Sequence, residues 1–505
     1  MVITMTTQSV NMAIQPNLEY VKQCLHYPQN TGFIVREFRA KFADGSAAAF
    51  LAYFDGMSNQ TLINRDILRA LLHVGSDEPP GVTRRETVYQ RIISLAPMTM
   101  VEELEKVIDQ INFGACAIFI EGCDCAFVAD VKGWNSRGVD APVNEASLSG
   151  PQEAFVESII TNLALVRKIL KDARLVAELN TVGKASKTPV SILYLDGITN
   201  PDIVDEVRRR ITGIQVEYIF SSSDIEMLIE KNTFFPMTHT LKTERPDRVS
   251  AMLAEGKVVV MVQGSPFALV LPTTAGDLIE ATEDNYVRVP EANMMRVIRL
   301  FGMALSLLLP GCFVAVMLYH HEMIPTDLLL AIEATRERVP FPLVFELILM
   351  EISFELIKEA SVRVPSPIGS SLGIIGGLIL GQAAVEANIV SPILIIVVAI
   401  SGLGAFATPT VALSRSLSLL RFCYILFGAV GGFLGITCAV LINLALMASA
   451  DTYSVPFLSP LTPKNHDTAA GAIFIKPIWK KERRPEALKT QDARRQPHIS
   501  RKWNV

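Results

Sequence analysis

Residues Pro365 to Thr410 read PSPIGSSLGIIGGLILGQAAVEANIVSPILIIVVAISGLGAFATPT. The stretch has no Lys or Arg, and Glu386 is its single charge. About 20 such residues span a bilayer's hydrocarbon core as a helix. Two spans are therefore expected, near 371–388 and 390–410, broken between Asn388 and Pro392. Gly369, Gly373, Gly377 and Gly381 follow one another at four-residue steps, so they form one ridge along a helix. Such a ridge admits a second helix at close range, which is how helices associate where lipid supplies no hydrophobic drive. A generic anchor explains one G-x-x-x-G. Four in register, with Gln382 and Glu386 just beyond, point to specific helix assembly.

Apolar sequence extends to both sides of this block. Val297 to Tyr319 reads as a first span behind Arg296 and Arg299. Phe422 to Ala448 reads as the last, with Gly428, Gly432 and Gly435 as a second close-packing face. His320 to Pro340 and Ser414 to Arg421 read as polar loops. Phe341 to Ala360 is apolar, yet Glu351, Glu355 and Glu359 fall on one helical face. An amphipathic or re-entrant helix at the membrane surface keeps such acids in water. Carboxylates at bilayer depth instead face a partner or a water-filled cavity, as acidic rings do in cation channels. Gln382 and Glu386 are rival candidates for that position. The tail 451–505 is rich in proline and basic residues, which holds it in the cytoplasm. The first residues carry no basic region followed by an apolar core, so no signal peptide is expected. Both termini on one side require an even number of spans, here four.

The 505 residues are half hydrophobic and 19% charged, with a net charge of −5. That charge, with no basic cluster ahead of the membrane half, argues against nucleic acid. The region before residue 291 is polar and shows an internal repeat. Leu51-Ala52-Tyr53-Phe54-Asp55-Gly56-Met57-Ser58-Asn59 returns as Ile192-Leu193-Tyr194-Leu195-Asp196-Gly197-Ile198-Thr199-Asn200. Each copy is a strand, an Asp-Gly turn, a Ser/Thr-Asn cap and a helix start. Hairpins follow at Glu121-Gly122 and Gln263-Gly264. The expected fold is a multi-domain α/β plus α-helical membrane protein: two similar α/β subdomains followed by a polytopic helical membrane domain. Its parts are a flexible segment 1–30, subdomains 31–150 and 151–290, the membrane domain 291–450 and the tail. A long helix from Pro151 to about Leu179 is expected to link the subdomains, on the spacing of Phe155, Ile159, Leu163, Val166 and Leu170. In the first subdomain, helices are expected over Leu62 to Val74 and Val101 to Ile111.

Catalytic and metal signatures are missing from the sequence. Thr181 to Ser186 contains Gly183-Lys184 without the flanking residues of a P-loop, and neither H-E-x-x-H nor G-x-G-x-x-G occurs. Cys123-Asp124-Cys125 has no second pair for zinc, and the seven cysteines read as reduced structural thiols. The expectation is a non-enzyme without cofactor or metal.

The chain resembles the A subunit of GerA-type germinant receptors of endospore-forming bacteria, from about residue 30 into the tail. Thr243-Glu244-Arg245-Pro246-Asp247-Arg248-Val249, Gly264-Ser265-Pro266-Phe267 and His321-Glu322-Met323-Ile324-Pro325-Thr326 carry the resemblance. Pro340-Phe341-Pro342, Met350-Glu351, Phe354-Glu355-Leu356, Glu359-Ala360 and the Pro365–Pro392 block continue it. Gln263-Gly264 and Asn285-Tyr286 depart from the usual Asp-Gly and Tyr-Tyr, and Trp134 to Gly150 matches loosely. The resemblance implies a subunit of the spore inner membrane. It implies two partners: a transporter-like B subunit that recognises the nutrient and a lipoprotein C subunit. It further implies self-association into a nutrient-gated cation channel that triggers germination. A non-conducting scaffold of the same complex is the alternative.

Overall fold

The computed structural model describes residues 8–42, 45–73, 84–89, 98–133, 141–142, 145, 149–233, 235–363, 381–462 and 474–497. Gly369, Gly373 and Gly377, and most of Trp134 to Gly150, lie outside them. The chain forms two compact units. One comprises Met1–Lys231, Thr240–Pro272 and Trp479–Val505; the other comprises Asn232–His239 and Thr273–Ile478.

The first unit holds two five-stranded antiparallel sheets. Strands β1 (Phe33–Phe42), β2 (Gly45–Phe54), β3 (Met98–Val101), β4 (Cys116–Ile120) and β5 (Ala126–Ala129) lie in the order β1-β2-β4-β5-β3. Strand alternation supplies both faces of this sheet. Ala49, Leu51 and Tyr53 join Ile63, Ile67 and Leu71 in one core. Phe50, Ala52 and Phe54 join Leu18, Val21, Leu104 and Ile108 in another. Strands β6 (Leu175–Val182), β7 (Thr188–Leu195), β8 (Leu241–Thr243), β9 (Val258–Val262) and β10 (Ala268–Leu271) repeat the order as β6-β7-β9-β10-β8. The duplication extends to register: Cys116 faces Ala129, and Val258 faces Leu271. The caps repeat too. Asn59 Oδ1 accepts from the Thr61 N–H at 3.0 Å, and Asn200 Oδ1 from the Asp202 N–H at 3.1 Å, satisfying first-turn donors.

Several expectations are corrected here. Residues 1–30 are not loose throughout: Ile14–Cys24 is a helix that buries Leu18 and Val21 against the first sheet. The helix expected over Leu62 to Val74 begins earlier, at Gln60–Leu62, and runs through a π-type stretch Ile63–Leu68 to Arg69–Leu72. The one expected over Val101 to Ile111 spans Leu104–Asn112, because Met98–Val101 pairs with β5. The long helix to Leu179 is instead Ile159–Ile169 followed by β6. Asp172 accepts from the Arg174 N–H at 3.0 Å and turns the chain, and β7 then claims Leu175–Val182 as its partner.

In the second unit, Val289–Tyr319 and Val411–Ser449 are long and apolar enough to cross a membrane. The second is not one rod. Gly432 has φ 55° and ψ −140°, a backbone that favours glycine. A straight helix would hold Tyr424 and Asn443, 19 residues apart, about 28 Å from each other. Their side chains instead hydrogen-bond at 3.3 Å. The element is therefore a helical hairpin with its apex at Gly432, which corrects the single span expected over 422–448. The loop expected over Ser414 to Arg421 is helical, as is Thr326–Arg336 within the loop expected over 320–340. The span expected near 390–410 is the helix Pro392–Phe406, and its 15 residues rise about 22 Å. Of the span near 371–388, residues 381–386 are described, and they are helical.

Candidate functional site

Four helices meet at one buried ion pair. Arg421 Nη1 lies 2.6 Å from Glu351 Oε2. Arg421 Nη2 donates to Ser306 Oγ at 2.7 Å, and Ser401 Oγ donates to Glu351 Oε1 at 3.1 Å. Ser306 belongs to Val289–Tyr319, Glu351 to Leu343–Arg363, Ser401 to Pro392–Phe406 and Arg421 to the hairpin. The side chains of Arg421 and Glu351 are 1% and 0% exposed. A charge so placed persists only when paired and hydrogen-bonded; here Nη1 and Nη2 are bonded, while Nε has no partner among the described residues.

The other acids of Leu343–Arg363 divide by surroundings. Glu346 is buried, accepts from the Ser391 N–H at 3.2 Å and faces Arg336 at 3.6 Å. Glu355 is half-buried beside Lys358, whose amine reaches Ser414 and Ser418. Glu359, Gln382 and Glu386 are exposed. The stripe expected from the sequence thus does not act as one set: Glu351 is turned inward and Glu359 outward.

Polarity in this unit runs opposite to that of a water-soluble fold. Ser306, Glu346, Glu351, Ser401, Arg421 and Asn443 are buried, while Phe301, Leu356, Leu403, Val430 and Leu434 are more than half exposed. In the helix Leu343–Arg363, Glu346 and Glu351 are buried while Ile352 and Leu356 are exposed, the reverse of the surface helix that one reading expected.

Glycines set the helix spacing. A Cβ on Gly428 would stand 2.7 Å from Gly311 O, and one on Gly311 would stand 2.8 Å from Tyr424 O. Gly302 and Gly404 meet backbone to backbone in the same way. Of the glycines singled out in the sequence, Gly428 packs between helices, Gly432 forms the hairpin apex and Gly435 lies against Phe427 of the opposite arm. Gly381 makes ordinary contact with Ile395. Gly302, Gly311 and Gly404 were not singled out, because each stands outside a four-residue ladder. Tyr319 OH lies within hydrogen-bond distance of the Ala429 and Val430 carbonyls, at 2.8 and 3.0 Å, just before the apex.

At the entrance to Val289–Tyr319, Asp284 receives two arginines. Arg296 Nε lies 3.1 Å from its Oδ2, and Arg299 spans both its oxygens at 3.0 and 3.2 Å. The arginines expected at the start of the first span thus clasp the turn Thr282–Asn285.

In the first unit, burial pushes the Cys123 thiol up to about 11 and raises Cys125 as well, so both stay protonated at neutral pH. No described His, Cys, Asp or Glu cluster is arranged to hold a metal. Asn30 joins the subdomains: it donates to the Leu25 and Leu175 carbonyls and accepts from Arg167 at 2.7 Å. Arg167 lies 4.1 Å over the Phe54 ring, and burial lowers it to about 9.

A duplicated α/β module joined to a helical unit with an inverted interior is the class these features define. The chain belongs to the Bacillus/Clostridium GerA spore germination protein family, whose model matches residues 19–487. Spore germination protein KA of Bacillus subtilis (strain 168) is 34% identical over 463 residues, covering 92% of this chain and 85% of that protein. Spore germination protein A1 of the same organism is 36% identical over 393 residues, covering 77% and 82%. The solved N-terminal domain of the A subunit of the Bacillus megaterium spore germinant receptor GerK3 is similar at 25% identity and a TM-score of 0.41. That match covers 53% of this chain and 98% of the domain.

Proposed function

We propose that this chain is the membrane-embedded A subunit of a nutrient germinant receptor, and that its assembled copies conduct cations. The inverted polarity of the helical unit carries the membrane part of this reading. Lipid tolerates an apolar exterior and requires polar groups to be satisfied within. The conducting part rests on the exceptions. Gln382 and Glu386 lie on one helical face and are exposed, as is Glu359. Facing lipid they would be costly, so they belong against another copy or a water-filled path. Glu355 lies between the two groups, and Glu351 holds the helix in place. The transporter-like nutrient-binding subunit and the lipoprotein subunit complete the receptor in this reading. The nutrient signal acts only through contacts that differ between closed and open states.

The internal closure of Glu351 by Arg421 favours a second reading, a non-conducting scaffold. Potassium release from spores carrying Glu359→Gln with Glu386→Gln separates the two. Slowed release after nutrient addition, at normal protein abundance, is expected of a channel. Normal release at normal abundance would overturn the conducting role of these residues and leave the scaffold.

A further inference from the structure

The two α/β subdomains part company after their last hairpin strand, and the difference concerns the carboxyl-terminal tail. In the first subdomain the chain leaves β5 and runs on along its own Asp-Gly turn. The Asn59 N–H donates to Val131 O at 2.7 Å, and the Gly133 N–H donates to Met57 O at 3.0 Å. Ile198 is the counterpart of Met57 in the repeat. Beyond β10 the chain does not return to it: Ala275 donates instead to Phe457 O in the second unit. The Ile198 carbonyl is taken by the Gln491 N–H at 2.9 Å. Around that bond, Thr490 packs on Gly256, and Arg484 Nε donates to Ala254 O at 2.9 Å. Arg484 is buried and also binds the Asp492 and Arg494 carbonyls.

We infer that residues 479–497 are a strap that completes the second α/β subdomain, and that the whole helical unit is an insertion into that subdomain. The slot beside Ile198 takes this chain's own tail where the first subdomain uses its own continuation. An insertion must leave and return on one side of a membrane, so its passes are even in number.

The helical unit gives the same parity independently. Ser306 meets Arg421, Gly311 meets Tyr424, and Tyr319 meets Ala429, so Val289–Tyr319 and the first hairpin arm run parallel. Glu351 meets Arg421 while Lys358 meets Ser414, so Leu343–Arg363 runs against them. Glu346 meets Ser391, Glu351 meets Ser401 and Phe354 meets Phe406, so Pro392–Phe406 runs alongside Leu343–Arg363. The second hairpin arm runs back against the first. Val289–Tyr319 leaves one face and the second hairpin arm returns to it, so both ends of the unit lie on one face.

The count of passes rests on the membrane reading above, but the strap does not, and the tests are separate. In the full chain, a specific protease site is inserted between Thr462 and Phe474, with different tags at the two termini. After cutting in detergent, the tail fragment is expected to stay bound when the amino-terminal tag is captured. Gln491→Pro with Arg484→Ala should weaken retention on the order of tenfold or more. Loss of the tail from the cut protein while its amino-terminal part stays monodisperse, or equal retention of the variant, would overturn the strap. In oriented vesicles, both terminal tags are expected to be digested from the same face. Digestion from opposite faces would overturn the even count while leaving the ion-flux result untouched.

Discussion

Replacing Arg421 with Met tests the ion pair on which four helices converge. The substitution keeps much of the apolar stem and removes the charge. Glu351, 0% exposed, would then keep only the Ser401 hydroxyl as donor. Leaving one member of a buried pair uncompensated costs about 3–5 kcal/mol. For a unit of about 200 residues each kcal/mol moves Tm by roughly 2–4 °C, so a loss of about 10 °C is expected. The assay is loss of the monodisperse peak of the detergent-solubilised full chain as temperature rises. Glu351→Leu alone should behave similarly, because it strands Arg421. The double variant Glu351→Leu with Arg421→Met should recover most of the loss, since apolar pairs replace buried ion pairs at about equal stability or better. With each single costing about 3–5 kcal/mol and the double close to the wild type, the coupling between the sites is then about 5 kcal/mol or more. An Arg421→Met protein that melts with the wild type would refute the pair as a structural element. A double variant that loses the sum of both singles would refute the coupling.

Gly428→Leu should disperse the helical unit by forcing a side chain against the Gly311 backbone, at a cost above about 1–3 kcal/mol. Gly431→Leu, which meets nothing within 4 Å, should elute as the wild type in size-exclusion chromatography. Asp284→Asn should weaken the clasp on Arg296 and Arg299 by about 3 kcal/mol, seen as faster hydrogen exchange in residues 282–300. Burial holds His239, which stacks on Phe235 and lies 3.2 Å from Thr452 Oγ1, below the ordinary imidazole value, against a smaller opposing effect of Asp451. An imidazole kept neutral in the fold stabilises fully above its unfolded pKa of about 6.5. That stability is lost as pH falls from there towards the lowered folded value. Hydrogen exchange of residues 451–457 should therefore rise between pH 7.5 and 5, and His239→Gln should flatten the rise.

Much of the first unit was legible because strand alternation and turn chemistry are local. The Asp-Gly turns, the Asn59 and Asn200 caps and the hairpins at Gly122 and Gly264 were read from neighbouring residues. Strand β6 was missed although the repeat contained it: β1, shifted by the repeat distance, falls on residues 175–184. Leu175 to Leu179 also continues the helical spacing of Ile159 to Leu170, and only pairing with β7 decides between the two. Among the site residues, Glu351 stood out as a charge in an apolar run, but its role did not. Arg421 closes the polar segment Ser414 to Arg421, which reads as a loop in sequence and is helical in the fold. The available signal was the pair itself, one acid and one base in apolar segments 70 residues apart.

Hydropathy reports how much apolar sequence exists, and it carries no direction, which is why the hairpin was read as one span. Phe422 to Ala448 is apolar throughout, and only glycine at position 432 lets the chain adopt a positive φ and reverse. Gly428 and Gly435 were read with Gly432 as one packing face, yet they sit on opposite arms. Direction follows instead from cross-helix pairs of polar residues, which are few enough in such a unit to fix each helix's sense without ambiguity. The repeat works in the same way on the other unit. Where the two copies agree, residue by residue, the fold is set by local pattern. Where they part, after Leu271, the chain departs into the helices, and a buried arginine and one backbone N–H, at Arg484 and Gln491, mark its return.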